Sequence, residues 1–157
     1  MYKRILVPID GSPTSNLGLN EAIKLAKDQG AKLRLFHLVD EYIVVSTPDG
    51  VMLDTGDLLE SMCRGGKKII EKAEALAKRN GVTPESVMIE SFGGRAADFI
   101  VKQANKWKAD LIVLGTHGRR GVKRLVMGSD AEEVIRRTRV PVLLVRSKET
   151  LRASRKP

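Results

Sequence analysis

The sequence has little of several features that would place it in a specialised class of protein. Cys63 is the single cysteine, which excludes an intramolecular disulfide framework and a metal site built from several cysteines. One tryptophan, two tyrosines and three phenylalanines leave few platforms on which single-stranded bases could stack. No apolar run approaches the roughly 18 residues of a membrane helix, and the first one stops at Asp10, too early for a signal peptide. We therefore expect a soluble protein of the reducing cytoplasm.

The composition that remains is that of a globular protein. The chain has 157 residues, of which 42% are hydrophobic and 30% are charged. This length is typical of one domain. We expect a single domain over residues 1–147, followed by a flexible basic tail over residues 148–157.

The net charge of +9 is concentrated near the C-terminus. Residues 119–157 contain twelve Lys or Arg against four Asp or Glu. This asymmetry favours an anionic partner, either phosphate groups or a nucleic acid, although a solvated face with a frayed tail would explain it equally well. The scarcity of aromatic residues and of any recognition motif argues against a nucleic acid.

Short apolar runs alternate with amphipathic stretches along the chain. The runs are typical of strands buried on both faces, and they cover residues 3–9, 33–39, 87–90, 110–114 and 142–145. Four amphipathic stretches between them predict helices. The alternation predicts an α/β fold, a parallel sheet of five strands with helices on both faces.

Local signals place the helix ends. Ser12 can cap the first helix, Pro13 suits its first position, and Gly30 is a natural stop. The second helix is best defined from residue 69 onward, because the pair Gly65-Gly66 weakens its first half. Residues 40–55 have no clear period and are predicted to form a long loop.

The predicted topology also points to a site. In doubly wound sheets, ligands bind beyond the carboxyl ends of the strands, where the strand order reverses. The loops after strands one, two and four contain Asp10, residues 38–40 and residues 115–129. We expect the site there. His37 lies within a strand and is interpreted as a structural histidine.

A spaced set of glycines falls in the third of these loops. Gly115-Thr116-His117-Gly118 is followed after nine residues by Gly128-Ser129. Glycine lets backbone approach a ligand closely, and the start of a helix favours an anion. The spacing is neither that of a Walker loop nor Gly-x-Gly-x-x-Gly. A capping box over residues 129–132 would explain Ser129 without any ligand, so both interpretations stay open.

These motifs resemble the universal stress protein family, in its ATP-binding branch. The resemblance rests on residues 7–12, on the pattern Gly-x2-Gly-x9-Gly-Ser and on residues 140–145, and it extends over essentially the whole chain. It implies a single Rossmann-like domain, ATP or another adenine nucleotide between the two halves of the sheet, and a homodimer through the fifth strand.

The resemblance also implies a role for individual residues. Asp10 would contact the ribose, and Leu38 would bind the adenine through backbone groups. Pro8, Ile9 and Leu114 would line the base pocket.

For the phosphates, the same resemblance implies two groups of residues. Gly115, His117 and Gly118 would hold the ribose and the inner phosphates, while Gly128 and Ser129 would bind the outer ones. The carboxylate of Asp130 would repel phosphates unless it meets a metal or turns outward, which leaves open whether Mg²⁺ accompanies the ATP.

The function predicted is that of a non-catalytic ATP-binding regulator of the stress response, with a protein partner that the sequence does not identify. One alternative is slow ATP hydrolysis, for which Asp10 and His117 are candidates without an evident arrangement for activating water. The other is a basic nucleic-acid-binding protein. No metal-ligand cluster and no catalytic set with a known spacing is evident.

Overall fold

The computed structural model describes residues 1–40, 55–91, 93–116 and 128–146. Several sequence predictions lie outside these ranges. They concern residues 41–54 of the predicted loop, His117 and Gly118 of the glycine motif, and the tail over residues 148–157.

The described chain alternates strand and helix throughout. Its elements are β1 (Arg4–Pro8), α1 (Pro13–Gln29), β2 (Lys32–Asp40), α2 (Thr55–Arg79), β3 (Glu85–Ser91), α3 (Ala96–Trp107), β4 (Leu111–Gly115), α4 (Ser129–Arg137) and β5 (Val142–Val145). The strands form one parallel sheet in the order β3-β2-β1-β4-β5. The predicted Rossmann-like α/β fold is confirmed. Within the described ranges, none of the helices combines the length and apolar character that crossing a membrane requires.

The two faces of the sheet carry separate cores, because successive side chains of a strand point to opposite sides. Ile5 and Val7 of β1 pack in the core that α1 and α2 cover. Leu6, between them, packs in the core that α3 and α4 cover. As predicted, the two layers bury β1, β4 and most of β2. The expectation was wrong for β3 and β5, which are only partly buried because they are the edge strands of the sheet.

The ends of α1 match their sequence signals. Ser12 is the N-cap, and its Oγ accepts a hydrogen bond from the backbone N–H of Ser15 at 3.2 Å. Pro13 opens the helix, and Gly30 ends it in the left-handed conformation at φ 62°. Each of these predictions is confirmed.

Helix α2 extends further than its pattern indicates. It begins at Thr55 and runs for 25 residues, directly through Gly65 and Gly66. The weak helix propensity of the two glycines is overcome by packing. A Cβ at position 66 would lie 2.9 Å from Cδ2 of His37. Glycine, although it is poor for an isolated helix, is therefore the residue that fits against the imidazole.

Gly115 brings helix α1 into direct contact with the end of β4. A Cβ at this position would lie 2.6 Å from the carbonyl carbon of Thr14 and 2.9 Å from the backbone nitrogen of Ser15. Gly18, one turn further along α1, would place its own Cβ 3.3 Å from the backbone nitrogen of Gly115. Helix and strand therefore meet backbone against backbone.

We expect Gly115→Ala to lower the free energy of unfolding by about 1–3 kcal/mol, because the added methyl group overpacks this contact. Gly65→Ala is the control. A Cβ at position 65 meets nothing within 4 Å, and alanine there should raise stability by up to about 1 kcal/mol through helix propensity. Urea titrations of both variants measure the difference. Equal stability of Gly115→Ala and the parent would contradict the close approach.

Candidate functional site

The strand order reverses between β1 and β4. From β1 the chain proceeds outward to β2 and β3, and it then returns to the other side of β1 for β4 and β5. At such a point the connections leave in opposite directions and open a crevice at the carboxyl ends of the strands. The predicted site residues that the structure describes lie at the ends of β1, β2 and β4 and at the start of α4.

Two of the residues predicted to line the base pocket, Pro8 and Leu114, share one face of the sheet with Leu38. Leu38 and Leu114 pack in the core beneath α3 and α4, and the alternation along β1 places Pro8 on the same side as Leu6. The side chain of Ile9 is on the other face, 4% exposed, among residues of α1 and α2. Only the backbone of Ile9 therefore faces the crevice. The alternation of side chains along β1 is enough to predict this from the sequence.

Asp10 forms a compact turn immediately after β1. Its Oδ1 accepts from the backbone N–H of Ser12 at 2.9 Å, and its own N–H donates to Oγ of Ser15 at 3.1 Å. Gly11, between them, has a φ of 79°, a conformation that suits glycine. The carboxylate is thus engaged in the turn, which holds it at the end of the strand beside the crevice.

The two described ends of the glycine motif, at Thr116 and Gly128, lie next to each other. The backbone N–H of Gly128 donates to the carbonyl of Thr116 at 2.9 Å, and the N–H of Thr116 donates to the carbonyl of Val145 at 3.0 Å. Thr116 is 2% exposed. These bonds fasten the start of α4 to the ends of β4 and β5. The sequence gives no signal for this role of Thr116, because it is carried by backbone groups.

The predicted capping box at α4 is not formed with Ser129 as the cap. Gly128 is the N-cap, with φ −62° and ψ 143°, and its carbonyl accepts the first helical bond from Glu132 at 3.1 Å. Ser129 is the first residue of the helix and is exposed. This alternative interpretation of Ser129 placed the cap one position too late, because an extended glycine also serves as an N-cap. The capping explanation for the Ser129 hydroxyl is thereby removed.

The carboxylates of α4 fit their positions in the helix. Asp130 and Glu132 stand in its first turn, where the helix dipole favours negative charge. Further along, Glu133 pairs with Arg137 at 2.7 Å and with Arg95 at 3.5 Å. The pKa of Arg137 is raised, first by the charge of Asp98 and then by that of Glu133. The pair of Arg137 with Asp98 joins α4 to α3, and the pair of Glu133 with Arg95 joins α4 to the N-cap of α3, whereas the pair of Glu133 with Arg137 lies within α4.

A cavity of about 480 Å³ lies on the other face of the sheet, between α1 and α2. Its walls are largely apolar and include Leu19, Ile69 and Leu76, with Lys72 and Arg79 among the polar residues. The side chains of Leu38 and Leu114 face away from it. The cavity adjoins the Asp10 turn, since Ile9 and Gly11 also line it, but it lies on the opposite face of the sheet from these two leucines.

The comparisons with known proteins agree with this architecture. The model of the universal stress protein family matches residues 1–146. Universal stress protein MJ0531 of Methanocaldococcus jannaschii is 37% identical over 147 residues, which cover 93% of this chain and 83% of that relative. The chain belongs to the universal stress protein family.

Solved structures of similar fold add information on ligands. Protein MJ0577 superimposes with a TM-score of 0.80 at 28% identity, over 94% of this chain and 98% of its own. Another universal stress protein, solved in complex with cAMP, has a TM-score of 0.64 at 26% identity, over 92% of this chain and 96% of its own. That relative binds an adenine nucleotide.

We expect the serines at the starts of α1 and α4 to differ in their effect on stability. Ser12→Ala removes an N-cap hydrogen bond and should cost about 1 kcal/mol. Ser129→Ala removes a side chain from the first helical position, which should change stability by less than about 0.5 kcal/mol. Urea unfolding of the two variants tests this. A loss at Ser129 as large as that at Ser12 would restore Ser129 as the cap.

Proposed function

We propose that this universal stress protein binds ATP in the crevice between β1 and β4 and acts as a non-catalytic nucleotide-binding regulator of the stress response. The observation that carries the proposal is the bond between Thr116 and Gly128, which holds the first turn of α4 beside the end of β4. The N–H groups of a helix start attract phosphate. The solved relative in complex with cAMP supports an adenine nucleotide as the ligand.

The adenosine part of the ligand would bind to the ends of β1, β2 and β4. Leu38 and Leu114 lie on one face of the sheet, and the alternation along β1 places Pro8 on the same side. Together they would supply an apolar wall, which suits a flat base. The backbone of Leu38 would recognise the adenine edge, and the carboxylate of Asp10 would accept a hydrogen bond from the ribose. Ile9 contributes through its backbone in this arrangement.

The phosphates would bind to the glycine motif. Gly128 and the hydroxyl of exposed Ser129 stand at the start of α4, and Gly115 ends β4 next to them. His117 and Gly118, which lie outside the described residues, are assigned to the ribose and inner phosphates by the resemblance alone. Mg²⁺ stays part of the proposal as a companion of the nucleotide, without an assigned protein ligand.

The proposal assigns no catalytic residue. Hydrolysis of ATP requires a positioned activator for water and a clamp for the developing charge. The carboxylate of Asp10, the first candidate for that task, is assigned in this proposal to the ribose and not to the phosphates. We propose that bound ATP changes a surface that a partner protein reads in the cytoplasm.

Two variants separate the contacts to the adenosine from those to the phosphates. Ser129→Ala should weaken ATP about ten- to a hundredfold, because it loses a hydrogen bond to a charged group, and should spare adenosine. Asp10→Ala should weaken ATP and adenosine alike. Asp10→Asn is its control, since the amide oxygen can still accept from Ser12 in the turn.

Calorimetric titrations with ATP, ADP and adenosine measure these differences. Mass spectrometry of the denatured, freshly purified protein identifies any nucleotide that it carries. If Ser129→Ala and Asp10→Ala both bind ATP like the parent, the assigned site is wrong.

We also propose a homodimer through β5. This strand is at the edge of the sheet, where unpaired backbone groups invite pairing with another copy. Leu143 on β5 is 37% exposed, and Ile135 on the preceding helix is 41% exposed. Leu144 packs in the core beneath α3 and α4, so Leu143 is the residue to change.

Light scattering of the parent at micromolar concentration should give twice the mass of the 17.3 kDa chain. Leu143→Lys should shift this value toward the monomer, because it puts a charge on the edge strand. Leu17→Lys changes a leucine of α1 that is equally exposed, at 38%, and should leave the dimer intact. A monomeric parent would exclude the dimer.

A further inference from the structure

The backbone of Ile9, directly before Asp10, is tied to β2 by two hydrogen bonds. Its N–H donates to the carbonyl of Phe36 at 2.8 Å. Its carbonyl oxygen lies 2.7 Å from Nδ1 of His37, and since a carbonyl can only accept, Nδ1 is the donor. His37 is 3% exposed, so water does not compete for this bond. The position at which Asp10 begins is therefore fixed from the neighbouring strand.

The His37 imidazole bonds to the residue after β1, at the point where the backbone pairing of β1 and β2 ends. The last paired residues of the two strands are Pro8 and Phe36. In a continued parallel ladder, the carbonyl of Ile9 would accept from the N–H of Leu38. His37 provides the donor instead, which leaves the N–H of Leu38 outside the β1–β2 ladder. That N–H stands at the place where we propose that the adenine binds.

Helix α2 lies directly against the His37 ring. A Cβ at position 66 would lie 2.9 Å from Cδ2 and 3.0 Å from Nε2 of His37, and 3.1 Å from the sulfur of Met88. One turn later, Ile69 lies against the Asp10 turn, since a Cβ at Gly11 would meet its side chain at 3.3 Å. The helix thus touches both the imidazole and the turn.

We propose that His37 is a positioning residue for the nucleotide site, and that α2 holds its ring in place through the close approach at Gly66. The imidazole fixes the Ile9 carbonyl, and with it the start of the Asp10 turn and the free edge of Leu38. A displacement of α2 would then change the contacts to the ribose and the base, without any direct contact between α2 and the ligand. The part of the proposal that concerns binding rests on the proposed function.

The two adjacent glycines of α2 provide a matched test. Gly66→Ala adds a methyl group that collides with the imidazole, whereas Gly65→Ala adds the same group at the same helix propensity into open space. The first measurement needs no ligand: hydrogen exchange of the backbone amides of Asp10 and Ser12, both of which are bonded within the turn. We expect Gly66→Ala to speed this exchange about tenfold and Gly65→Ala to leave it unchanged.

The second measurement is the dissociation constant for ATP and for adenosine. Because the hydrogen bond of His37 orients groups that contact the adenosine part, Gly66→Ala should raise both constants by a similar factor, about tenfold. Gly65→Ala should bind both like the parent. This common factor distinguishes His37 from a phosphate contact such as that proposed for Ser129.

Two substitutions of His37 test the hydrogen bond itself. In His37→Asn, the side-chain amide nitrogen occupies about the place of Nδ1 and can donate to Ile9. In His37→Leu, a carbon atom occupies the place of Nδ1 and cannot donate this hydrogen bond. We expect asparagine to preserve the slow exchange at Asp10 and much of the affinity, and leucine to lose both. If His37→Leu does not fold, the glycine pair still decides.

Three results would overturn the proposal. The first is equal exchange and affinity of Gly66→Ala and Gly65→Ala. The second is His37→Leu retaining the protection of the parent at Asp10. The third is a loss of exchange protection in the Gly66 and His37 variants that is spread evenly over the backbone amides of the whole sheet. His37 would then be a general core residue and not a positioning residue. Failure of the parent to bind ATP or adenosine would instead refute the proposed function, while the exchange rates would still test the positioning of the turn.

Discussion

The contact of α1 with the end of β4 is the constraint on which the arrangement of the crevice depends. Because Gly115 has no side chain, the backbone at Thr14 packs directly on it. The Asp10 turn, which leads into α1, is thereby held beside the end of β4. The next residue, Thr116, then fastens the start of α4. A side chain at position 115 would separate the turn from the helix start and widen the crevice between them.

The fold could be predicted from the sequence because its signals are local. The cap at Ser12 and the stop at Gly30 act within a few residues of themselves, and the apolar runs record the burial of each strand. The full length of α2 could not be predicted in this way. Its glycines lower helix propensity locally, and the reason for Gly66 is an imidazole on a strand about thirty residues earlier in the chain.

The candidate site was only partly accessible to the same reasoning. The order of strand ends brings Pro8, Leu38 and Leu114 to one place, as the alternating pattern predicts. The two-residue period of a strand places the side chain of Ile9 on the opposite face from this wall, so that only its backbone is available to the proposed pocket. The connection between Thr116 and Gly128 could not be read at all, because backbone groups are common to every residue. Gly115 keeps its proposed place in the phosphate site, and the structure adds a second reason for a glycine there, the contact with the backbone of Thr14.

The hydrogen bond between Thr116 and Gly128 also bears on how the sequence between these two residues can change in length during evolution. Both ends of residues 117–127 are held at one point, so a segment of another length could start and finish there without moving a strand. The strands and α4 could therefore keep their arrangement in a relative with a different number of residues between β4 and α4.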